Sequence, residues 1–285
     1  MKYIDCHVHI TPRYLLSKES LELYALGKRE EEAENARRVV EDPDALVKIL
    51  DDANVEKAFL VSNVSPKVEG IPYEINDFTT RYCAKHPERL IPFGSLHPRD
   101  TDNARKDMDH LVDDLGVKGI KIHPCHQLVY PNEYRTGKLR SLEQIYSCAQ
   151  EKKVPVMFHT GTSVFKKARN IYGDPIYVDD VAVDFPDLKI ILAHGGRPLW
   201  TDTAFFLVRR HKNVYMDISG IPPSHLLSYF PRLELVAAKT MFGSDWAGPM
   251  VSSIRANIQA FLNLPLPATI KQQVLRETAL GLLKA

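Results

Sequence analysis

Tyr3-Ile4-Asp5-Cys6-His7-Val8-His9 is a short apolar run ending in two histidines separated by one residue. The same construction recurs along the chain. Phe158-His159-Thr160-Gly161, Ala193-His194-Gly195-Gly196 and Gly243-Ser244-Asp245-Trp246 each close an apolar, β-branched stretch, and Lys121-Ile122-His123-Pro124 closes another. Working outward from these gives eight brief runs, at 3–7, 56–62, 90–96, 117–123, 154–159, 188–194, 213–218 and 239–245. Near-continuous apolarity of this length suits strands buried on both faces, as in a parallel sheet covered by helices. Helical signals lie between most of them. Asp42-Pro43 opens a segment with Leu46, Ile49 and Leu50 on one face. Asp102 is expected to open another, carrying Met108, Leu111, Val112 and Leu115 and ending at Gly116. Ser141 is expected to cap a third, with Leu142, Ile145, Tyr146 and Ala149. Strand and helix alternating eight times in under 300 residues predicts an α/β fold. The form expected is a single (β/α)8 TIM barrel domain over 1–285.

Composition narrows the function. A 44% hydrophobic content in 285 residues is enough for one large core, and a net charge of +1 gives no basic field for nucleic acid. No apolar run approaches the length that crosses a bilayer, and the chain enters its first strand at once, so neither a membrane partner nor a secretory signal is expected. Cys6, Cys83, Cys125 and Cys148 lack the CxxC spacing of metal sites; free thiols and a cytoplasmic location are expected. One segment breaks the rhythm. Residues 10–42 form a charged, mainly helical excursion after the first strand, including Lys28-Arg29-Glu30-Glu31-Glu32. It reads as a solvated face, or as a lid or dimer contact, because it starts at the mouth of the barrel.

Residues at the C-terminal ends of barrel strands converge on one site. Strand alternation puts His7 and His9 on the same face, with Asp5 one layer deeper by the same parity. Borderline divalent metals bind imidazole nitrogen and carboxylate oxygen, and catalytic sites leave a position open. His7, His9, His159 and Asp245 offer three nitrogens and one oxygen, while His194 stands beside them. A bound metal brings the pKa of water toward about 7, and His194 or Asp245 can then move protons. Lys121, His123, Arg197, Trp200 and Trp246 are candidate substrate contacts, Arg for a carboxylate and Trp for an apolar wall. His97 and His126 also fall near the mouth.

These motifs resemble the amidohydrolase superfamily, and more narrowly its "amidohydrolase 2" branch of semialdehyde decarboxylases, resorcylate-type decarboxylases and lactone hydrolases. The similarity spans the chain, including Asn76-Asp77 and His86-Pro87-Glu88-Arg89. It implies a divalent metal, usually zinc, on residues matching His7, His9, His159 and Asp245. His194 is then a proton donor or acceptor, or a ligand to a second metal. Some features depart from relatives. Many resorcylate-type decarboxylases carry Glu where His7 stands, TatD-like nucleases carry a strand-four Glu where this chain has Lys121-Ile122-His123, and Thr278-Ala279 replaces a common Asn-Ala pair. In binuclear relatives a carboxylated lysine bridges two metals. Lys121 is a candidate for that role, or for pairing with Asp5 or substrate, although one metal per chain is favoured because the branch is usually mononuclear. By analogy a homodimer is also possible.

Three functions share this residue set. The preferred expectation is a metal-dependent hydrolase that opens a small ester, lactone or amide, because the site is open to hydroxide and no feature is dedicated to an aromatic acid. The alternative is non-oxidative decarboxylation of a small unsaturated or aromatic carboxylic acid, with His194 protonating carbon. A barrel that binds metal or ligand without turnover is the third.

Overall fold

The computed structural model describes residues 1–26, 28–251 and 253–284. Eight parallel strands follow one another around a sheet in chain order: β1 (Tyr3–Val8), β2 (Val55–Val61), β3 (Leu90–Ser95), β4 (Ile120–Ile122), β5 (Val156–His159), β6 (Ile190–Ala193), β7 (Val214–Asp217) and β8 (Thr240–Met241). The last strand returns to the first. The Cys6 N–H donates to the Phe242 carbonyl at 2.9 Å, the Asp245 N–H donates to the His7 carbonyl at 2.9 Å, and Val8 bridges Trp246 in parallel. The fold is a (β/α)8 TIM barrel, as the alternating pattern implies.

The first excursion carries α1 (Lys18–Ala25) and α2 (Glu30–Glu41). Packed around the barrel are α3 (Pro43–Asp52), α4 (Ile75–Cys83), α5 (Ala104–Asp109), and then, past the short α6 (Pro124–Gln127), α7 (Arg140–Glu151), α8 (Val178–Asp184) and α9 (Thr201–Arg210). The series ends with α10 (Pro223–Tyr229), α11 (Ile254–Leu262), α12 (Ala268–Gln272) and α13 (Thr278–Lys284). The Asp42 carboxylate caps α3 by accepting from the Asp44 N–H, with Pro43 in the first turn, as its sequence suggests. Two expected caps are corrected. Asn103, and not Asp102, caps α5 by accepting from the Lys106 N–H. Ser141 lies inside the first turn of α7, where its hydroxyl donates to the Pro98 carbonyl at 2.5 Å and ties the helix to the loop after β3. Among the described residues no helix is long and apolar enough to cross a membrane. The four cysteines are free and buried, and burial pushes each thiol up, so they behave as small apolar groups.

Two layers of core hold the barrel. Leu46, Leu50, Met108, Leu142, Ile145, Val181 and Leu207 from the helices pack on the outward side chains of the strands. Inside, Ile4, Cys6, Phe59, Val61, Phe93, Met157, Ile191 and Met241 form a separate cluster, against which α13 packs Ala279 and Leu282. Full burial of each such side chain contributes about 1.5–3 kcal/mol. Phe59 and Phe93 stack with centroids 5.0 Å apart, and Gly119 makes room for the second ring: a Cβ there would lie 2.6 Å from Phe93 Cδ1. Gly119→Ala is therefore expected to destabilise the protein by about 1–3 kcal/mol through overpacking. A lowered midpoint in urea unfolding, reversed by a smaller side chain at position 93, checks it.

The parity expected for β1 needs one correction. The pairing register with β2 slips between Asp5 and Val8, so two residues face one and the alternation changes phase. Ile4 and Cys6 point into the barrel, whereas Val8 belongs to the outer core. His7 and His9 still share the inner face, but Asp5 falls on the other side of the strand. There its Oδ1 accepts from the N–H groups of His7 (3.2 Å) and Ser244 (2.9 Å), joining β1 to the loop after β8. Burial pushes the Asp5 carboxyl up to about 7.

Candidate active site

Strand ends and the loops after them line a cavity of about 540 Å³. His9, His159, His194, Asp245, Lys121, His123 and Arg197 all reach it. His7 lies just beneath, its ring 5.0 Å from that of His9 and 4.9 Å from that of His194. His7, His9 and Asp245 form a tight trio, with Asp245 Oδ1 3.2 Å from His9 Nε2 and 3.8 Å from His7 Nε2. His159 stands outside that trio but close by, its ring 4.7 Å from that of His194.

Hydrogen bonds on the far sides of the rings decide what faces the centre. His7 Nδ1 meets the Asp217 carboxylate at 2.9 Å, and His9 Nδ1 donates to the Val61 carbonyl at 2.8 Å. A carboxylate or a carbonyl only accepts, so in each neutral imidazole the proton sits on Nδ1 and Nε2 keeps its lone pair. Two lone pairs then converge on a carboxylate oxygen with no proton between them. His7 Nε2 and His159 Nε2 are buried without any hydrogen-bond partner. Such an arrangement is repulsive unless a cation sits among the donors, and imidazole nitrogen with carboxylate oxygen is the donor set a divalent metal takes. His7, His194 and Asp217 form a second trio, but it is already closed by the His7–Asp217 contact and by Ser219 Oγ. That hydroxyl donates to Asp217 Oδ1 at 2.5 Å and accepts from the histidines at about 3 Å.

His194 is held for a different task. Its Nδ1 donates to the Ser219 carbonyl at 3.0 Å and its own N–H donates to Asp217, which leaves Nε2 for the cavity. Both His194 (φ +67°) and Asp245 (φ +66°) adopt the left-handed backbone that non-glycine residues avoid. Strain of this kind, on the order of 1–3 kcal/mol, gathers at functional sites. Gly161, after His159, is left-handed as well (φ +95°) because the backbone of Arg197 approaches it; a Cβ would sit 2.8 Å from the Arg197 nitrogen.

The amidohydrolase family model matches residues 4–285. The chain belongs to the amidohydrolase family. It is thus an enzyme of the amidohydrolase 2 branch that the motifs resemble. Among curated relatives, γ-resorcylate decarboxylase of Rhizobium sp. (strain MTP-10005) is 24% identical over 262 residues, covering 73% of this chain and 78% of that protein. The counterpart from Rhizobium radiobacter is 23% identical over the same extent. Three solved structures share the fold. An uncharacterised TIM-barrel protein from Bordetella bronchiseptica superposes with a TM-score of 0.78 (20% identity, 100% of this chain and 99% of that one). A 2,6-dihydroxybenzoate decarboxylase bound to 2,6-dihydroxybenzoate gives 0.72 (18% identity, 100% of both chains). A 5-carboxyvanillate decarboxylase from Novosphingobium aromaticivorans, complexed with manganese and a nitrobenzoic acid, gives 0.69 (17% identity, 100% of this chain and 96% of that one).

In this amidohydrolase the charges around the centre are unevenly matched. Burial lowers His7, His159 and His194 below the ordinary histidine value. Burial alone would raise Asp245, but the neighbouring His9 and His7 rings and the Arg197 guanidinium hold it well below the carboxylate range. Lys121 is 1% exposed and lines the cavity without an ion pair among the described residues. Burial brings it down to about 8. Asp5 lies on the opposite side of its strand from the cavity, so the pairing considered for these two residues is not made. Arg197 Nη2 stands 3.7 Å from Asp245 Oδ2, and its Nε is buried without a partner.

Two expected contacts, and one histidine expected near the mouth, lie elsewhere. Trp246 is 3% exposed and packs into the outer core, while Trp200 sits at the start of α9, its N–H donating to Gly196. Neither lines the cavity. His97 is turned toward Asp100. Sequence reasoning also missed Asp217, Ser219, Glu69 and Tyr24. Asp217 closes the seventh apolar run, so its strand-end position was the available signal. Glu69 sits on the irregular connection after β2 and Tyr24 on α1 of the first excursion, and neither position is marked by the strand-end pattern.

Proposed function

We propose that this amidohydrolase is a metal-dependent decarboxylase of a small hydroxylated aromatic carboxylic acid. The observation that carries decarboxylation over hydrolysis is the match to γ-resorcylate decarboxylases across 73% of the chain. The preference for hydrolysis drawn from the open site has only superfamily membership behind it. His7, His9, His159 and Asp245 would hold one divalent cation; manganese in the 5-carboxyvanillate decarboxylase supports a divalent ion without singling out zinc. When bound, the cation supplies Lewis-acid polarisation of substrate oxygens.

The chain's own groups carry the rest. Lys121 and Arg197 offer positive charge to a carboxylate, Arg197 through a guanidinium able to grip both oxygens. His194 Nε2 faces the cavity and delivers a proton to the ring carbon bearing the carboxylate. The carbon–carbon bond then breaks, its electrons restore the aromatic ring, and carbon dioxide leaves. Because burial lowers His194, its protonated form is a strong acid, and a bound anion would favour that form just when it is needed. Residues 10–42 serve as a lid in this scheme. Supporting this, Tyr24 on α1 lines the cavity and donates to Glu69 at 3.1 Å, while Lys28 Nζ holds the carbonyls of Tyr24 (2.6 Å) and Gly248 (2.7 Å).

Carboxyl-13C hydroxybenzoates compared with a panel of lactones and esters test the reaction. Labelled carbon dioxide in step with phenol is expected; acid release from a lactone with no carbon dioxide would reverse the assignment. Arg197→Ala is expected to raise KM by about tenfold or more with a much smaller fall in kcat. Steady-state kinetics showing equal losses in both would remove Arg197 from carboxylate binding.

A further inference from the structure

The same cavity holds a second polar chain that proton transfer by His194 does not use. Glu69 is 2% exposed, and its carboxylate accepts from three donors on separate parts of the fold. Tyr24 Oη reaches Oε1 at 3.1 Å, Asn63 Nδ2 reaches Oε2, and His126 Nδ1 reaches Oε2 at 2.9 Å. On its other side His126 Nε2 meets Ser163 Oγ at 2.8 Å. Asn63 Nδ2 (3.4 Å) and Ser65 Oγ (3.3 Å) complete the surroundings of Nδ1.

With a neutral His126 ring, the donors and acceptors along these residues run in one direction. Glu69 accepts, so the neutral His126 ring carries its proton on Nδ1 and offers a lone pair at Nε2. Ser163 must then donate its only hydrogen to His126. One of its two lone pairs takes the Phe165 N–H at 3.3 Å, and the other is left for the cavity that Ser163 lines. Toward a ligand, Ser163 can therefore only accept. His126 stacks on His123 with centroids 3.5 Å apart, and His123 stacks on His159 at 3.8 Å. Ser163 thus lies beyond two ring layers from His159, at the far end of the stack.

We infer that Ser163, polarised by His126 and Glu69, forms a subsite for a phenolic hydroxyl on the ring edge remote from the substrate carboxylate. The inference rests on the proposed function for which end of the substrate faces the metal. It makes this amidohydrolase selective for acids with a distal donor, and selective against those whose distal group only accepts.

Calorimetric titration of the metal-replete protein with three ligands tests it: 2,4-dihydroxybenzoate, 2-hydroxybenzoate and 2-hydroxy-4-methoxybenzoate. The dihydroxy acid is expected to bind about tenfold more tightly than either other ligand, the worth of one well-made hydrogen bond. In Ser163→Ala the ratio between dihydroxy and monohydroxy affinities is expected to fall to about one. A ratio that survives Ser163→Ala, equal binding of the methoxy acid (which would mean that Ser163 donates), or no binding of any ligand would each overturn the subsite. Carbon dioxide release is read separately. An intact ratio lost in Ser163→Ala, without decarboxylation, would keep the subsite and reject the reaction; decarboxylation with a ratio indifferent to Ser163 would do the opposite.

Discussion

Asp245→Ala is expected to yield a folded protein that no longer retains metal and whose kcat/KM falls by at least about 10³. The carboxylate is the only anionic member of the proposed ligand set. Its Oδ1 stands 3.2 Å from His9 Nε2, whose proton is committed to the other ring nitrogen. Removing the negative charge leaves three imidazole nitrogens, and the same change strips Arg197 of its nearest acidic neighbour. Position 245 has a left-handed backbone, so alanine adds about 1 kcal/mol of conformational cost unrelated to ligation. Asp245→Asn is the companion variant, because asparagine tolerates that backbone yet lacks the charge. Metal analysis of the purified proteins decides: both variants are expected to carry well under one equivalent per chain, with circular dichroism unchanged. A full equivalent in either one would remove Asp245 from the ligand set.

His194→Ala is expected to behave differently, keeping its metal while kcat falls by about 10²–10⁴, the usual worth of a positioned general acid. Nδ1 of this ring is spent on Ser219, which fixes the ring and aims Nε2 at the cavity. Nothing in that arrangement needs the ring as a ligand, because His7 reaches Asp217 directly. His194→Asn again separates backbone strain from chemistry at φ +67°. Stopped turnover with one equivalent of metal retained is the expected pair of results. Loss of metal along with activity would instead make His194 a ligand, and full activity would remove it from the mechanism.

Much of this was legible in the chain because a parallel barrel writes itself plainly. Each strand is a brief apolar run, and each candidate site residue stands where the run stops, so His7, His9, His159, His194 and Asp245 could be gathered from segments up to 238 residues apart on the sequence alone. What stayed hidden depended on contacts that spacing does not encode. The register slip in β1 reverses the side on which Asp5 lies, and strict alternation cannot anticipate a bulge. Ser141 looked like a cap because caps are usually serines, yet its hydroxyl is taken by Pro98 across the fold. Trp246 follows a metal-type aspartate but turns into the outer core. Glu69, His126 and Ser163 come from three connections, and their hydrogen-bond order exists only once those loops are brought together.

A single cation is expected where the imidazole lone pairs and the Asp245 carboxylate converge. Anomalous diffraction from metal-replete crystals, collected at the absorption edge of the added metal, tests it most directly. One peak contacted by His7, His9, His159 and Asp245, with His194 Nε2 free beside it, is the predicted result. Two peaks bridged by a carboxylated Lys121, or one peak seated on His194 and Asp217, would contradict it.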